Sequence, residues 1–158
     1  MKEYSKYNVN KTKEDKIYND IVFDSAMEMR YYRDVVLPGV ENGSILSFER
    51  QKRYTLQPSF NRSGKKVLPI DYKADFCICY SDGSVRVIDI KGCAEPQAKL
   101  KRKMFWYVYP DIDYVWLVYS PIDGGENGWV TYEEKQAGVR ARKKAKKKLK
   151  GVNKEITG

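Results

Sequence analysis

Histidine is absent from the 158 residues. That excludes Ser-His-Asp and Cys-His catalysis, histidine-ligated zinc and every nuclease motif built on an imidazole. Cysteine is scarce, with only Cys77, Cys79 and Cys93. Without histidine, a tetrahedral zinc site would need a carboxylate as its fourth ligand, so structural zinc is not expected. An odd number of cysteines with no secretory signal also argues against a disulfide framework, and the three read as reduced thiols. No stretch approaches the ~20 consecutive apolar residues of a membrane helix. The opening MKEYSKYNVN holds no apolar run of the kind a signal peptide carries. The expectation is a soluble, cytoplasmic protein. Acidic residues nearly vanish at the C-terminal end: Lys135 to Gly158 holds ten Lys/Arg and one acid, Glu155.

What is present fits one domain with a real core, at 42% hydrophobic and 13% aromatic residues. The whole net charge of +9 lies in that final segment, because the preceding 134 residues hold 20 basic and 20 acidic side chains. The expected organisation is a flexible segment over 1–20, a domain over 21–134 and a basic tail over 135–158. A neutral domain with a strongly basic end points to a polyanionic partner, most often nucleic acid. A merely solubilising tail is the plainer alternative.

The spacing predicts a helix in FDSAMEMRYYRDVVLPG, capped by Asp24 or Ser25 and ended by Pro38 and Gly39. Ile45 to Leu56, Ile70 to Tyr80 and Val85 to Lys91 read as strands. NRSGKK between the first two reads as a turn or mobile loop. A helix starts at Pro96 and runs towards Tyr109, where Pro110 stops it. Ile112 to Ser120 is a buried strand by its apolar density, and WVTYEE is a short final strand. The order α-β-β-β-α-β implies an α/β domain, a mixed sheet flanked by helices. The basic tail is expected to be disordered, or helical only on binding, because RARKKAKKKLK sets like charges at i, i+3 and i+4. Tyr31, Tyr32, Tyr107 and Tyr109 read as core or rim residues.

Asp89 and Lys91 share one face at the end of an apolar strand, VRVIDIKG, while Ile88 and Ile90 take the other. Whether Asp75 of the preceding strand joins them depends on the hairpin. A two-residue loop, Asp82-Gly83, would set Asp75 opposite Ile90. A three-residue loop, Ser81-Asp82-Gly83, pairs Tyr80 with Ser84 and brings Asp75 across from Asp89. The second fits better, because Gly83 can take the left-handed position that such a loop requires. Two facing carboxylates repel. A divalent cation removes that cost, and hard oxygen donors without histidine or cysteine suit Mg²⁺, with Mn²⁺ able to substitute. The Ile90 carbonyl is a further candidate ligand, and a lysine beside such a site suits phosphodiester hydrolysis.

FDSAMEMRYY, SFERQKRYTL, YKADF and VIDIKG together resemble the PD-(D/E)xK nuclease superfamily. The likeness is to transposon endonucleases of the TnsA type and, most of all, to phage proteins related to Holliday-junction resolvases. It spans Phe23 to about Ser120. It implies a restriction-endonuclease-like fold and a Mg²⁺-dependent DNA endonuclease acting on branched or structured DNA in recombination. It also implies a homodimer, and a phage or prophage protein working in the bacterial cytoplasm. Glu28 matches the helix glutamate, Asp75 the first motif aspartate, and Asp89 and Lys91 the acid and lysine of the second half. Gln51 matches a glutamine that often follows the first strand. Ala74 stands where the family has proline, a position that shapes backbone and binds nothing.

Each assignment has a plainer counterpart. Glu28 follows Ser25 by three, so SAME is also a capping box. Asp89 and Lys91 are also an ordinary ion pair on one strand. The expected DNA contacts are Gln51; Lys99, Lys101, Arg102 and Lys103 on the helix after the motif; and Arg140, Arg142, Lys143, Lys144, Lys146, Lys147 and Lys148 in the tail. The rival reading is a catalytically inactive DNA- or RNA-binding protein on the same fold. A basic ribosome-associated protein would explain the tail but not the hairpin.

Overall fold

The computed structural model of the chain describes residues 16–156. The first 15 residues of the expected flexible segment lie outside the described residues. Its remainder is a hairpin, β1 (Ile17–Tyr18) with β2 (Ile21–Val22). Helix α1 (Ala26–Tyr31) follows, capped by Ser25, whose side chain accepts the Glu28 N–H. A π-helical turn (Tyr32–Val36) leads into α2 (Leu37–Glu41). The helical segment therefore runs past Pro38 and Gly39, which were expected to end it. The physical reason is the π turn: Leu37 N–H reaches back five residues to the Tyr32 carbonyl. This widened turn makes room for the proline ring that a regular α-helix would drive into the carbonyl four residues back.

Strands β3 (Ile45–Gln57), β6 (Ile70–Tyr80), β7 (Val85–Ile90), β8 (Asp113–Tyr119) and β9 (Trp129–Thr131) form one sheet in the order β3-β6-β7-β8-β9. All neighbours are antiparallel except β7 and β8, which are parallel and joined through α3 (Pro96–Val108). The predicted mixed α/β sheet flanked by helices is thus observed. NRSGKK, expected as a loose loop, is the tip of a small ribbon, β4 (Phe60–Arg62) with β5 (Lys65–Val67). Ser63 and Gly64 both take positive φ there, 50° and 76°, as a two-residue hairpin turn requires.

One apolar cluster, with Tyr31, Val36, Phe76, Ile78, Ile88 and Ile90, lies under α1 and α2. The other, with Tyr54, Tyr72, Ala74, Val87, Phe105, Tyr114 and Trp116, lies under α3. Ala74 and Phe76 are two residues apart yet belong to opposite clusters, as do Phe48 and Tyr54 on the neighbouring strand. Strict period-two alternation would forbid this for Ala74 and Phe76. Both strands roll over at one level: the ladder pairs Arg50 with Phe76 and Lys52 with Ala74 but omits Gln51 and Asp75 between them. Gln51 sits at φ 57° to make the roll on β3.

The largest departure is the C-terminal segment. Only Trp129–Thr131 of WVTYEE is strand, and α4 runs from Tyr132 to Ile156. The tail expected to lack structure is a formed helix, and the 134/135 boundary falls inside it. Its first turns are held to the domain. Glu133 pairs with Arg102 at 2.5 Å, Tyr132 packs edge-on against Trp116, and Asp123 takes both terminal nitrogens of Arg142 at 2.5 and 3.0 Å. Helix nucleation is the costly step, so anchoring the first turns lets the rest propagate despite like-charge repulsion. Among the described residues, no helix is long and apolar enough to cross a membrane.

Candidate active site

The β6–β7 hairpin has the predicted three-residue loop. Tyr80 N–H bonds the Ser84 carbonyl, and the ladder runs Cys79–Val85, Cys77–Val87 and Phe76–Ile88. Gly83 takes φ 83°, and Asp82 Oδ1 accepts from both the backbone and the hydroxyl of Ser84. This register brings Asp75 and Asp89 to one level, a step past the last ladder pair. The ladder stops there because of the strand roll. In a continued ladder Ile90 N–H would meet the Ala74 carbonyl. Instead it donates to the carboxylate of Asp75, Oδ2, at 2.7 Å. Asp75 is thereby fixed on the backbone of the D-I-K motif itself.

These residues face one cleft of about 420 Å³ whose lining includes Glu28, Tyr72, Asp75, Asp89, Ile90 and Lys91. Helix α1 supplies Glu28 from one side of the sheet, and α3 adds Gln97, Ala98 and Lys101 from the other. The four residues expected to carry catalysis, with Ile90, are therefore brought together from a helix and two strands. Gln51 is not among the lining residues. Its Oε1 is buried without a hydrogen-bond partner, and its clearest contribution is the backbone roll beside Asp75.

Asp89 is 3% exposed. Its Oδ2 lies against the Lys91 ammonium, and its Oδ1 accepts the Tyr72 hydroxyl in a short hydrogen bond. Glu28 is also buried. Ser25 Oγ accepts the Glu28 N–H at 3.2 Å and donates to Glu28 Oε1 at 2.7 Å. The serine half of the capping box is thus formed, while the Glu28 carboxylate takes the Ser25 hydroxyl rather than its backbone N–H and still lines the cleft.

The electrostatics are those of crowded acids. Asp75 is pushed up to about 8, first by burial and then by the charges of Asp89 and Glu28, against the pull of the Ile90 N–H and Lys91. Burial also raises Glu28, with Ser25 pulling it back and Asp24 and Asp89 adding to the rise. Asp89 is raised by burial, opposed chiefly by Lys91 and then by Tyr72 and Arg102. The Tyr72 hydroxyl is driven far up by burial and the Asp89 charge, so it acts as a donor.

Among the described residues, no three acidic or sulfur side chains form a ready-made metal cage. The donor set nevertheless fits a hard divalent cation. Glu28, Asp75, Asp89 and Ile90 line one cleft and offer oxygen donors, and the charges of Asp89 and Glu28 add to the burial that raises Asp75. In the present arrangement Lys91 covers the face of Asp89 that such a cation would share.

The expected DNA contacts divide. Lys99 and Lys103 are exposed on α3, and Lys101 lines the cleft, donating to the Asp71 carbonyl at 2.8 Å. Arg102 is a correction. It is 8% exposed, its guanidinium stacked 4.4 Å from both the Trp106 and Trp116 rings and paired with Glu133, so no phosphate reaches it. The sandwich and the ion pair offset the cost of burying the charge. Arg142 is engaged by Asp123 and anchors α4. Arg140, Lys143, Lys144, Lys146, Lys147 and Lys148 are exposed along α4. Tyr72 and Lys73 also line the cleft and were not singled out from sequence. For Tyr72 the only local signal was its place three residues before Asp75.

A family model described as "Protein of unknown function (DUF1064)" matches residues 4–123, about three quarters of the chain. No curated protein and no solved structure matches.

Proposed function

The chain belongs to the DUF1064 family, and we propose that it is a metal-dependent endonuclease that hydrolyses phosphodiester bonds in DNA. The observation that carries this reading is the convergence of Glu28, Asp75, Asp89, Lys91 and the Ile90 backbone on one cleft. They come from a helix, a strand and the strand paired with it, through a register that a one-residue slip would destroy. The likeness of the sequence pattern to PD-(D/E)xK nucleases gives the same residues these roles. The preference for branched or structured DNA, and action as a dimer making paired cuts, rest on that likeness alone.

Asp75 and Asp89, with Glu28 and the Ile90 carbonyl, would hold Mg²⁺ or Mn²⁺. When bound, the ion supplies Lewis-acid chemistry, easing deprotonation of a water and neutralising charge at the scissile phosphate. The chain's own residues do the rest. The Ile90 N–H orients the Asp75 carboxylate. Lys91, which lies beside Asp89 on the cleft, would donate to a phosphate oxygen where charge builds in the transition state. Lys73 and Lys101 stand on the cleft wall and draw the phosphate backbone in. The exposed lysines of α4 add affinity without sequence preference.

A non-catalytic nucleic-acid-binding protein is the second reading, favoured by one observation: the basic face of α4 is formed and exposed whatever the cleft does. Incubation with four-way junction, flap and linear duplex DNA, in Mg²⁺, Mn²⁺ or EDTA, separates the two. Metal-dependent cleavage supports the nuclease. Tight binding with no cleavage of any substrate in either metal supports the second reading.

A further inference from the structure

Behind Asp89 runs a file of buried polar groups to which the cleavage chemistry assigns no part. Trp116 Nε1 donates to the Tyr114 hydroxyl at 2.6 Å, and Tyr114 donates to the Tyr72 hydroxyl at 2.7 Å. Tyr72 in turn donates to Asp89 Oδ1. Trp116, Tyr114, Tyr72 and Asp89 are respectively 1%, 5%, 8% and 3% exposed.

The direction of this file is fixed by chemistry. An indole nitrogen can only donate. Tyr114 must therefore accept from Trp116, which leaves its own proton for Tyr72. Tyr72 then has its proton left for Asp89. Each link polarises the next, so the last hydroxyl is a stronger donor than a lone tyrosine. Sheet register builds the file: parallel pairing sets Trp116 beside Asp89 and Tyr114 beside Val87, and β6 brings Tyr72 alongside. Phenylalanine would fill the two tyrosine positions with nearly the same volume. Buried hydroxyls are a liability unless each finds a partner, and here the acceptor at the end of the file is Asp89.

We propose that Tyr72 is the positioning residue of this site: its hydroxyl, locked by Tyr114 and Trp116, fixes the plane of the Asp89 carboxylate and leaves Oδ2 as the oxygen that faces Lys91 and an incoming cation. The same indole lies beneath the Lys91 ammonium, 5.2 Å from ring centroid to nitrogen, so Trp116 sets both halves of the Asp89–Lys91 pair. Without the file, Oδ1 loses its donor and the plane of the carboxylate is left to the Lys91 contact at Oδ2.

The role assigned to the cation rests on the nuclease reading, whereas the orientation of Asp89 does not, and the test keeps them apart. Full-length Tyr72→Phe and Tyr114→Phe are compared with the wild type. The first measurement is the side-chain ¹³Cγ resonance of Asp89 in metal-free protein, assigned with Asp89→Asn. Tyr72→Phe is expected to move that resonance, and Tyr114→Phe to move it by less. The second is Mn²⁺ affinity by calorimetry. Removing a partner that orients a metal ligand lowers affinity roughly 10–100-fold, and Tyr114→Phe is expected to fall between Tyr72→Phe and the wild type. An unmoved Asp89 resonance in both variants overturns the proposal, even if both melt at lower temperature, because that is the signature of packing alone. A moved resonance with unchanged Mn²⁺ affinity and cleavage also overturns it. If Tyr72→Phe fails to fold, Tyr114→Phe decides, since it keeps the Tyr72–Asp89 contact and removes the Tyr114 support, together with the acceptor of Trp116 Nε1. If the wild type binds no Mn²⁺, the nuclease reading fails and the Asp89 resonance alone decides the orientation.

Discussion

Replacing Asp75 with asparagine separates the electrostatic cost of the site from its function. Asp75 has a folded value near 8 against an ordinary value near 3.8. The folded protein therefore holds a proton on this group between those values that the unfolded chain releases. The sign follows: relative to high pH, the stabilisation is complete below about 4 and is lost as pH rises to about 8. Each pH unit in that window is worth at most about 1.4 kcal/mol. Between pH 6 and pH 8 the metal-free wild type should thus lose up to about 3 kcal/mol, and about 1–2 after allowing for partial solvent access and the nearby Lys91 charge. Asparagine carries no charge at any pH, and its carbonyl oxygen can still accept from the Ile90 N–H. Denaturant unfolding in EDTA at pH 6, 7, 8 and 9 should give a flatter profile for Asp75→Asn. Adding Mn²⁺ at pH 8 should restabilise the wild type and not the variant, because the cation binds the deprotonated carboxylate and displaces its proton. Parallel pH profiles for the two proteins would refute the upward shift of Asp75 that burial and the charges of Asp89 and Glu28 are held to cause. Equal Mn²⁺ stabilisation in both would refute its place as a ligand.

Asp89→Asn should abolish both cleavage and Mn²⁺ binding while DNA affinity holds or rises, read by calorimetry and a mobility-shift titration. Lys91→Ala should keep Mn²⁺ binding, or tighten it by removing the ammonium that covers Asp89, yet lower cleavage by roughly two to four powers of ten; near-normal turnover would reduce Lys91 to half of an ion pair. Ending the chain after Arg142 keeps the anchored turns of α4 and removes the lysine run, so the protein should stay folded. The slope of log affinity against log salt should then flatten by about 0.9 for each lost phosphate contact, roughly three to five in all; an unchanged slope would make the helix a bystander. Arg102→Met should destabilise the fold by about 1–2 kcal/mol, chiefly by removing the cation from between the two indoles, because the Glu133 side chain is 59% exposed and stays solvated without its partner, and thermal melting checks this without reference to DNA.

The sequence by itself determined whatever is governed by local geometry. Loop length and the one glycine able to take a left-handed turn fix the β6–β7 register, and that register carries Asp75 to the level of Asp89. Period-two alternation put Asp89 and Lys91 on one face. The spacing of Ser25 and Glu28 implied both the cap and the glutamate's place at the start of α1. Only the tertiary structure decided the rest, because those features depend on partners distant in the chain. The roll of β3 and β6 at Gln51 and Asp75 needs a positive φ at a residue that carries no glycine-like signal, and it appears only when two clusters compete for opposite faces of one sheet. Arg102 looks like its solvated lysine neighbours until Trp106, Trp116 and Glu133 close around it. Tyr72 and Tyr114 are 42 residues apart and meet only through the strand order that sets β7 between β6 and β8. The basic helix contradicts its own charge pattern because Arg102 and Asp123, 31 and 19 residues upstream of their partners, hold its first turns and so provide the nucleus that local sequence lacks.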